Sequence, residues 1–406
     1  MFDNQTVPFS LRRRALAVAL AAAGAFGPAA AQAQDIKVGF NADQSGTAAA
    51  ELGLAARHGF ELAIEDINKA GGVLGKKLVA VVRDDTGAPP KSIQNMTELI
   101  DNEKVVAVIG PTNSGNALAW LHIPQQKKIP VIVPVATATE ITRRYAAEPQ
   151  NYIFRVSMVD REQVALLLAY AVKSSKGKKI GFIADSTGFG TQGVKDATEV
   201  LALHGLAPVA VEKFGPKDTD MTAQLAKIRD AGADTVLIYG LADGNAHTLR
   251  SMEKIAYMPT AIGTWGNMSS VLLNTAGPKL AEHLVFATST AEDANTRASA
   301  LAARVRARYP QMVTFVSAAQ AYDSVMLLAS AIKQAGSADG EKVAAALEGN
   351  LPDTQGIVKL YSKPFTKAKH EALGVEDFQL GKWKDGKVTA FSDAITKSFT
   401  PADFKR

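Results

Sequence analysis

Apolar residues recur along this chain in two alternating rhythms. In "DIKVGFNA" (35–42), "KKLVAVVRDD" (76–85), "VVAVIG" (105–110) and "IPVIVPV" (129–135) they run together in short blocks. The last two are unbroken, the mark of strands buried on both faces of a parallel sheet. Between the first two blocks, Phe60, Ala63, Ile64 and Ile67 recur at i, i+3, i+4 and i+7, one apolar face of a helix that "GG" (71–72) stops. "PPKSIQNMTELIDNE" (89–103) reads as a helix with prolines in its first turn, where a missing N–H costs nothing.

The alternation then restarts. "KKIGFIAD" (178–185), "APVAVEKF" (207–214), "DTVLIYG" (234–240) and "PTAIGT" (259–264) are strands, separated by amphipathic segments such as "MTAQLAKIRDAGA" (221–233). Residues 295–348 read as helical, most clearly at "SAAQAYDSVMLLASAIKQAG" (317–336). "GIVKLY" (356–361) reads as a strand, and "EDFQLGKWKDGKVTAF" (376–391) as a hairpin turning at "KDGK". The fold class is α/β: two doubly wound lobes with mostly parallel sheets.

The first 33 residues stand outside that pattern. Arg12–Arg14 precede the apolar run "ALAVALAAAGAFGPAAA", and small Ala31 and Ala33 occupy the −3 and −1 positions of "AQAQD". This is the form of a secretory signal peptide cleaved after Ala33. The run is too short and Ala-rich for a membrane anchor. The chain has no cysteine, so it offers no disulfide, thiolate ligand, Cys nucleophile or lipid-bearing Cys at the cleavage site. The expected location is therefore free in a periplasm. Loss of the leader removes three arginines and Asp3, so the net charge falls from +5 to +3. That mild excess does not point to nucleic acid.

In doubly wound sheets, ligands lie beyond the carboxyl ends of the strands. Those ends here are "GPTNSG" (110–115), "PVATAT" (134–139), "DSTGFG" (185–190), "GLADGN" (240–245) and "GTWGN" (263–267). Ser114 opens a helix after a buried strand, which suits an anion or a simple N-cap. Thr137 and Thr139 pose the same choice, and the two segments follow consecutive strands, so together they can form one anion cradle. "GFGTQG" (188–193) matches G-x-G-x-x-G, but "DST" separates it from its strand, where a dinucleotide fingerprint needs its first glycine. Its glycines instead let Phe189 project from a loop tip. The six histidines show no H-E-x-x-H, and no G-x-S-x-G is present. Asp84–Asp85 reads as loop capping in preference to a metal site. No enzyme, cofactor or metal is expected.

With these elements placed, the chain resembles the periplasmic solute-binding proteins of branched-chain amino acid ABC transporters, the Leu/Ile/Val-binding type. The resemblance is carried by "GFELAIEDINKAGGVLGKKLVAVVRDD" (59–85), "DIKVGFNADQSG" (35–46), "VVAVIGPTNSGNALA" (105–119), "IPVIVPVATATEIT" (129–142), "FGTQG" (189–193) and "QGIVKLY" (355–361), in order. It implies a type I periplasmic binding protein: two lobes joined by three hinge crossings that close on a ligand. The implied crossings are Phe154–Val156, Val285–Ala287 and Gly356–Leu360. They divide the chain into 34–155 plus 286–357 for the N-terminal lobe, and 156–285 plus 358–406 for the C-terminal lobe. The implied partners are a small-molecule carboxylate and the permease subunits of an ABC importer, with the protein a monomer. A sensing module that contacts a receptor is the alternative of another class.

The resemblance also implies a site. The family's ligand carboxylate is held by a Ser and a Thr with backbone N–H groups, which here fall at Ser114, Thr137 and the backbone of Val135 and Ala136. Phe189 falls where the second lobe presents an aromatic, and Leu241 on the loop after "LIYG". Leu52 or a neighbour takes the place of an aromatic on the first helix's loop. Trp265 occupies the position of the acid that pairs with the ligand's α-ammonium. The expectation is thus a carboxylate without an α-amine, such as an aromatic acid, with a branched-chain or other amino acid as the alternative. For the leader, mass spectrometry of the exported protein should find a mature chain beginning at Gln34; an N-terminus retaining residues 1–33 would refute the reading.

Overall fold

The computed structural model describes residues 1–2, 34–292, 294–310, 312 and 314–406, so the leader and its cleavage site lie outside the described residues. Five parallel strands form the first sheet: β1 (Ile36–Ala42), β2 (Leu78–Asp84), β3 (Ala107–Ile109), β4 (Val131–Val133) and β5 (Ile153–Arg155), in the order β2-β1-β3-β4-β5. The second sheet begins with β6 (Ile180–Asp185), β7 (Ala210–Phe214), β8 (Thr235–Tyr239), β9 (Thr260–Gly263) and β10 (Leu284–Thr288). A two-residue pairing of β11 (Thr354–Gln355) with β12 (Leu360–Tyr361) follows, then the hairpin β13 (Gln379–Lys384) and β14 (Lys387–Ala390). The second sheet's order is β14-β13-β10-β9-β8-β6-β7, parallel except where β13 and β14 join. Residues 36–406 form one compact unit.

The unbroken apolar runs are the buried strands they were read to be. Every residue of β3, β4, β6 and β8 is buried. The hairpin turns at Asp385 and Gly386, both at positive φ, as a two-residue I′ turn requires. "GIVKLY" is a strand only at its end, Leu360–Tyr361, and departs from that reading over its first four residues. The backbone N–H groups of Ile357 and Val358 donate to the buried carboxylate of Asp323 at 2.6 and 2.9 Å, so no ladder is left for them to join.

The helices used below are α1 (Ala50–Lys69), α2 (Ser114–Trp120), α3 (Asp160–Ser174), α4 (Gly188–Leu203), α5 (Ala242–Lys254), α6 (Ser270–Ala276), α7 (Thr296–Arg308) and α8 (Val316–Ala335). The chain passes between the sheets after β5, after β10, and between β12 and β13. Phe154–Val156 includes the end of β5, Val285–Ala287 lies inside β10, and Gly356–Leu360 spans the turn between β11 and β12. Although α7 and α8 come late in sequence, they pack on the first lobe. Arg304 binds Asp66 of α1 through two parallel bonds of 2.7 and 2.9 Å, and Tyr322 donates to the same carboxylate at 2.9 Å.

That packing brings α1 and α8 into backbone contact at Gly59, where an added Cβ would lie 1.9 Å from the carbonyl oxygen of Ala318. A carbonyl of a helix cannot rotate away as a side chain can, so the helices themselves must separate. Gly59→Ala should therefore lower the free energy of unfolding by roughly 1–3 kcal/mol, the range for overpacking a core. Urea denaturation of the two proteins measures it, and equal midpoints would show that α1 and α8 do not need this approach.

Candidate functional site

The carboxyl ends of both sheets face a cavity of about 580 Å³. Leu52, Ser114, Val135, Ala136, Thr137, Phe189, Leu241 and Trp265 all border it, whereas Thr139 does not: its hydroxyl is turned to Asp196 Oδ2 at 2.8 Å. The lobes meet there without a side chain between them. A Cβ built on Gly188 at the start of α4 would lie 3.0 Å from Cα of Gly115 at the start of α2.

The first-lobe wall is built around one hydroxyl. Ser114 Oγ accepts from the backbone N–H groups of Thr137 and Ala138 at 3.3 and 3.1 Å, which draws the turn after β4 onto the first residue of α2. Both accepted bonds use Oγ lone pairs, which leaves the hydroxyl proton to be given to an acceptor. Behind the turn lies Arg155, fully buried, whose Nη2 donates to Ala138 O and Thr142 Oγ1 at 2.9 Å each. Its Nε and Nη1 have no acceptor among the described residues. Burial pulls its pKa down to about 10, with Glu371 and Asp160 pulling it back up, so it is a cation at neutral pH. Burial pushes Asp160, at the start of α3, up to about 6, against the pull of the Tyr239 and Thr137 side chains.

The second-lobe wall is tied by amides and one carboxylate. Asp185 Oδ1 accepts from the Thr187 backbone N–H at 2.9 Å and Oδ2 from Leu241 N–H at 3.0 Å. It thereby joins the loop before α4 to the loop before α5, and burial raises its pKa against these donors. The Trp265 turn is held from three sides. Asn245 Nδ2 donates to Asn267 Oδ1 at 2.8 Å, Asn267 Nδ2 to Thr264 O at 2.8 Å, and Trp383 Nε1 to Asn267 O at 2.7 Å. Gln163 Oε1 accepts from Trp265 N–H at 3.3 Å. Trp265 is 4 % exposed, so it both packs within its lobe and borders the cavity. A buried indole carries a large apolar contact area with one directional N–H.

Phe189 differs from its sequence reading. It does not project from a loop tip but lies in the first turn of α4, its ring 4.9 Å from that of Tyr239. Thr187 caps that turn, accepting from Phe189 N–H and Gly190 N–H at 3.2 and 3.4 Å. The "GFGTQG" glycines serve close packing. A Cβ on Gly190 would meet Asp185 O at 2.1 Å, and one on Gly193 the Tyr239 ring at 2.0 Å. Asp43, Asp84 and Asp85 bring carboxylate oxygens within 4.8 Å of one another, the arrangement a cation would want. Their oxygens are engaged by the loops instead: Asp84 with Gln44 N–H, Thr86 N–H and Ser45 Oγ, Asp85 with Gly87 N–H and Ser92 Oγ, and Asp43 with Gly46 N–H and Thr47 Oγ1.

Sequence reading missed Arg155 and Asp185 as site-builders, and Lys217 and Asn113 as further residues on the cavity wall. A signal existed for two of them. Arg155 interrupts the apolar run "YIFRV", and Asp185 ends a fully buried strand. A charge in such a place must be satisfied by something local.

A family model described as "Periplasmic binding protein" matches residues 35–387. The Leu/Ile/Val-binding protein BraC3 of Rhizobium johnstonii is 28 % identical over 383 residues, covering 93 % of this chain and 99 % of its own. The leucine-, isoleucine-, valine-, threonine- and alanine-binding protein of Pseudomonas aeruginosa is 28 % identical over 339 residues, 84 % of this chain and 88 % of its own. Among solved structures, a type 1 periplasmic binding protein from Bordetella pertussis superposes with a TM-score of 0.78 at 26 % identity, over 88 % of this chain and 100 % of that one. The substrate-binding protein LivJ of Streptococcus pneumoniae, solved with isoleucine, gives 0.75 at 25 %, over 88 % and 98 %. Among the described residues no helix is long and apolar enough to cross a membrane. A two-lobe α/β scaffold with its cleft at the strand ends, matched over nearly the whole chain, places this protein in the periplasmic binding protein family, beside relatives of the Leu/Ile/Val-binding type.

Proposed function

We propose that this chain captures a small carboxylate in the periplasm and delivers it, as a monomer, to the permease of an ABC-type importer, without chemistry of its own. In this reading the lobes are 34–155 plus 286–357 and 156–285 plus 358–406. Ser114, Thr137 and the backbone of Val135 and Ala136 take the carboxylate. The start of α4, at Gly188 and Phe189, adds the positive end of a helix dipole to the same cavity. Leu52, Phe189, Leu241 and Trp265 line the apolar remainder.

The ligand that this wall fits best is a carboxylate without an α-amine, such as an aromatic acid. The observation that carries it is Trp265, an indole on the cavity wall at the position where the family resemblance expects an acid. A buried ammonium left without a carboxylate costs on the order of 3–5 kcal/mol. An indole face, in contrast, suits a flat ring. A second reading, an amino acid, is favoured by the names of the relatives and by Asp243. That residue borders the cavity, with Oδ1 accepting from Gly244 N–H at 2.8 Å, and is the acid that reading needs for the ammonium.

Calorimetry with 4-hydroxybenzoate and leucine separates the two. The expected outcome is heat with 4-hydroxybenzoate, weakened by roughly 1.5–3 kcal/mol in Ser114→Ala and in Thr137→Ala, the range for hydrogen bonds to charged groups. Trp265→Glu should admit leucine where the wild type rejects it. Tight leucine binding with no response to aromatic acids would replace the first reading by the second, and Asp243→Asn should then abolish that binding.

A further inference from the structure

Glu51 lies in the first turn of α1, next to Leu52 on the cavity wall, and reaches across to the other lobe. Its Oε2 accepts three bonds from the start of α6: Ser269 Oγ at 2.6 Å, Ser270 N–H at 3.0 Å and Ser270 Oγ at 2.9 Å. Its Oε1 is held from its own lobe, where Thr314, just before α8, donates at 2.8 Å. The carboxylate is thus oriented on one side before it meets the other.

The receiving end is just as particular. Ser269 and Ser270 follow the 265–268 turn that carries Trp265. Ser269 Oγ caps α6 by accepting from Val271 N–H at 3.1 Å while its proton goes to Glu51. One hydroxyl therefore does both jobs at once, and the cap survives if the lobes part. Of the bonds these two serine hydroxyls make here, those to Glu51 reach the first lobe; elsewhere Thr139 Oγ1 also crosses, donating to Asp196 Oδ2 of α4 at 2.8 Å. Charge-assisted bonds of this kind are shorter and stronger than neutral ones.

We propose that Glu51 is an interlobe latch: it holds the Trp265 segment against the first lobe and so sets how long the clamp stays closed on its ligand. It acts through closure and not by touching the ligand, and it depends on the two lobes moving, not on which carboxylate or amino acid fills the cleft.

The chain's lack of cysteine makes the test direct. Lys91 and Lys195 are exposed, one on each lobe, and Lys91→Cys with Lys195→Cys provides a spin-label pair in the full mature protein. Electron–electron distances are recorded without ligand, with leucine and with 4-hydroxybenzoate. Gly188→Val, whose Cβ would already lie 3.0 Å from Gly115 Cα before its two γ-methyls are added, serves as the open reference. The closed-to-open ratio should fall about tenfold in Glu51→Ala, the loss of one charge-assisted bond or more. Glu51→Gln, which keeps a carbonyl acceptor, should fall between. Should Glu51→Ala fail to fold by circular dichroism, Ser270→Ala removes one donor and should shift the ratio in the same direction by less. An equal ratio in the wild type and in the folded Glu51 and Ser270 variants overturns the proposal. So does a wild type indistinguishable from Gly188→Val under all three conditions.

Discussion

The site depends on two backbones approaching with nothing between them. Gly115 and Gly188 each begin a helix, and in this closed arrangement their main chains nearly touch. A Cβ on Gly188 would lie 3.0 Å from Gly115 Cα and would need the facing backbone to give by a few tenths of an ångström. That contact sets the start of α2, with Ser114, against the start of α4, and it converts two strand ends into one enclosed wall. Exclusion of water in turn strengthens each polar interaction inside.

Closing a cleft over charges has a cost, and the surrounding polar groups are arranged to meet it. Ser114 gathers two backbone N–H groups of the turn after β4, and Arg155 holds the carbonyl of the same turn from behind. A guanidinium with unshared donors lies beneath the turn that faces the cavity, and Lys217 borders the cavity as well. On the other lobe the buried Asp185 spends its oxygens on backbone N–H groups and a hydroxyl, so it organises loops and offers little to a ligand cation. This asymmetry matches the anion proposed for the Ser114 end.

Much of this was legible beforehand because it depends on local rhythm. Apolar blocks marked the parallel strands, and the segments after them marked where a ligand would lie, since strand ends in such sheets converge on one cleft. The eight site residues named from motif and resemblance border a single cavity for that reason. The misreadings share a cause too. "GIVKLY" has a strand's composition, but Asp323, 34 residues away, claims its N–H groups. Phe189 looked like a loop-tip aromatic because the Thr187 cap that starts a helix one residue earlier is a weak signal beside three glycines.

The sequence by itself determined the class of fold, the pair of lobes and the polar strand-end segments, because period and composition act over a few residues. Only the tertiary structure decided what those segments do. Trp265 became a cavity wall through Asn245, Asn267 and Trp383, residues up to 118 positions away that fix its turn. Glu51 became a bridge because folding brings it to Ser269 and Ser270, 218 and 219 positions on. Hydrogen bonds act over about 3 Å whatever the separation along the chain, and no periodicity records which distant partners will meet.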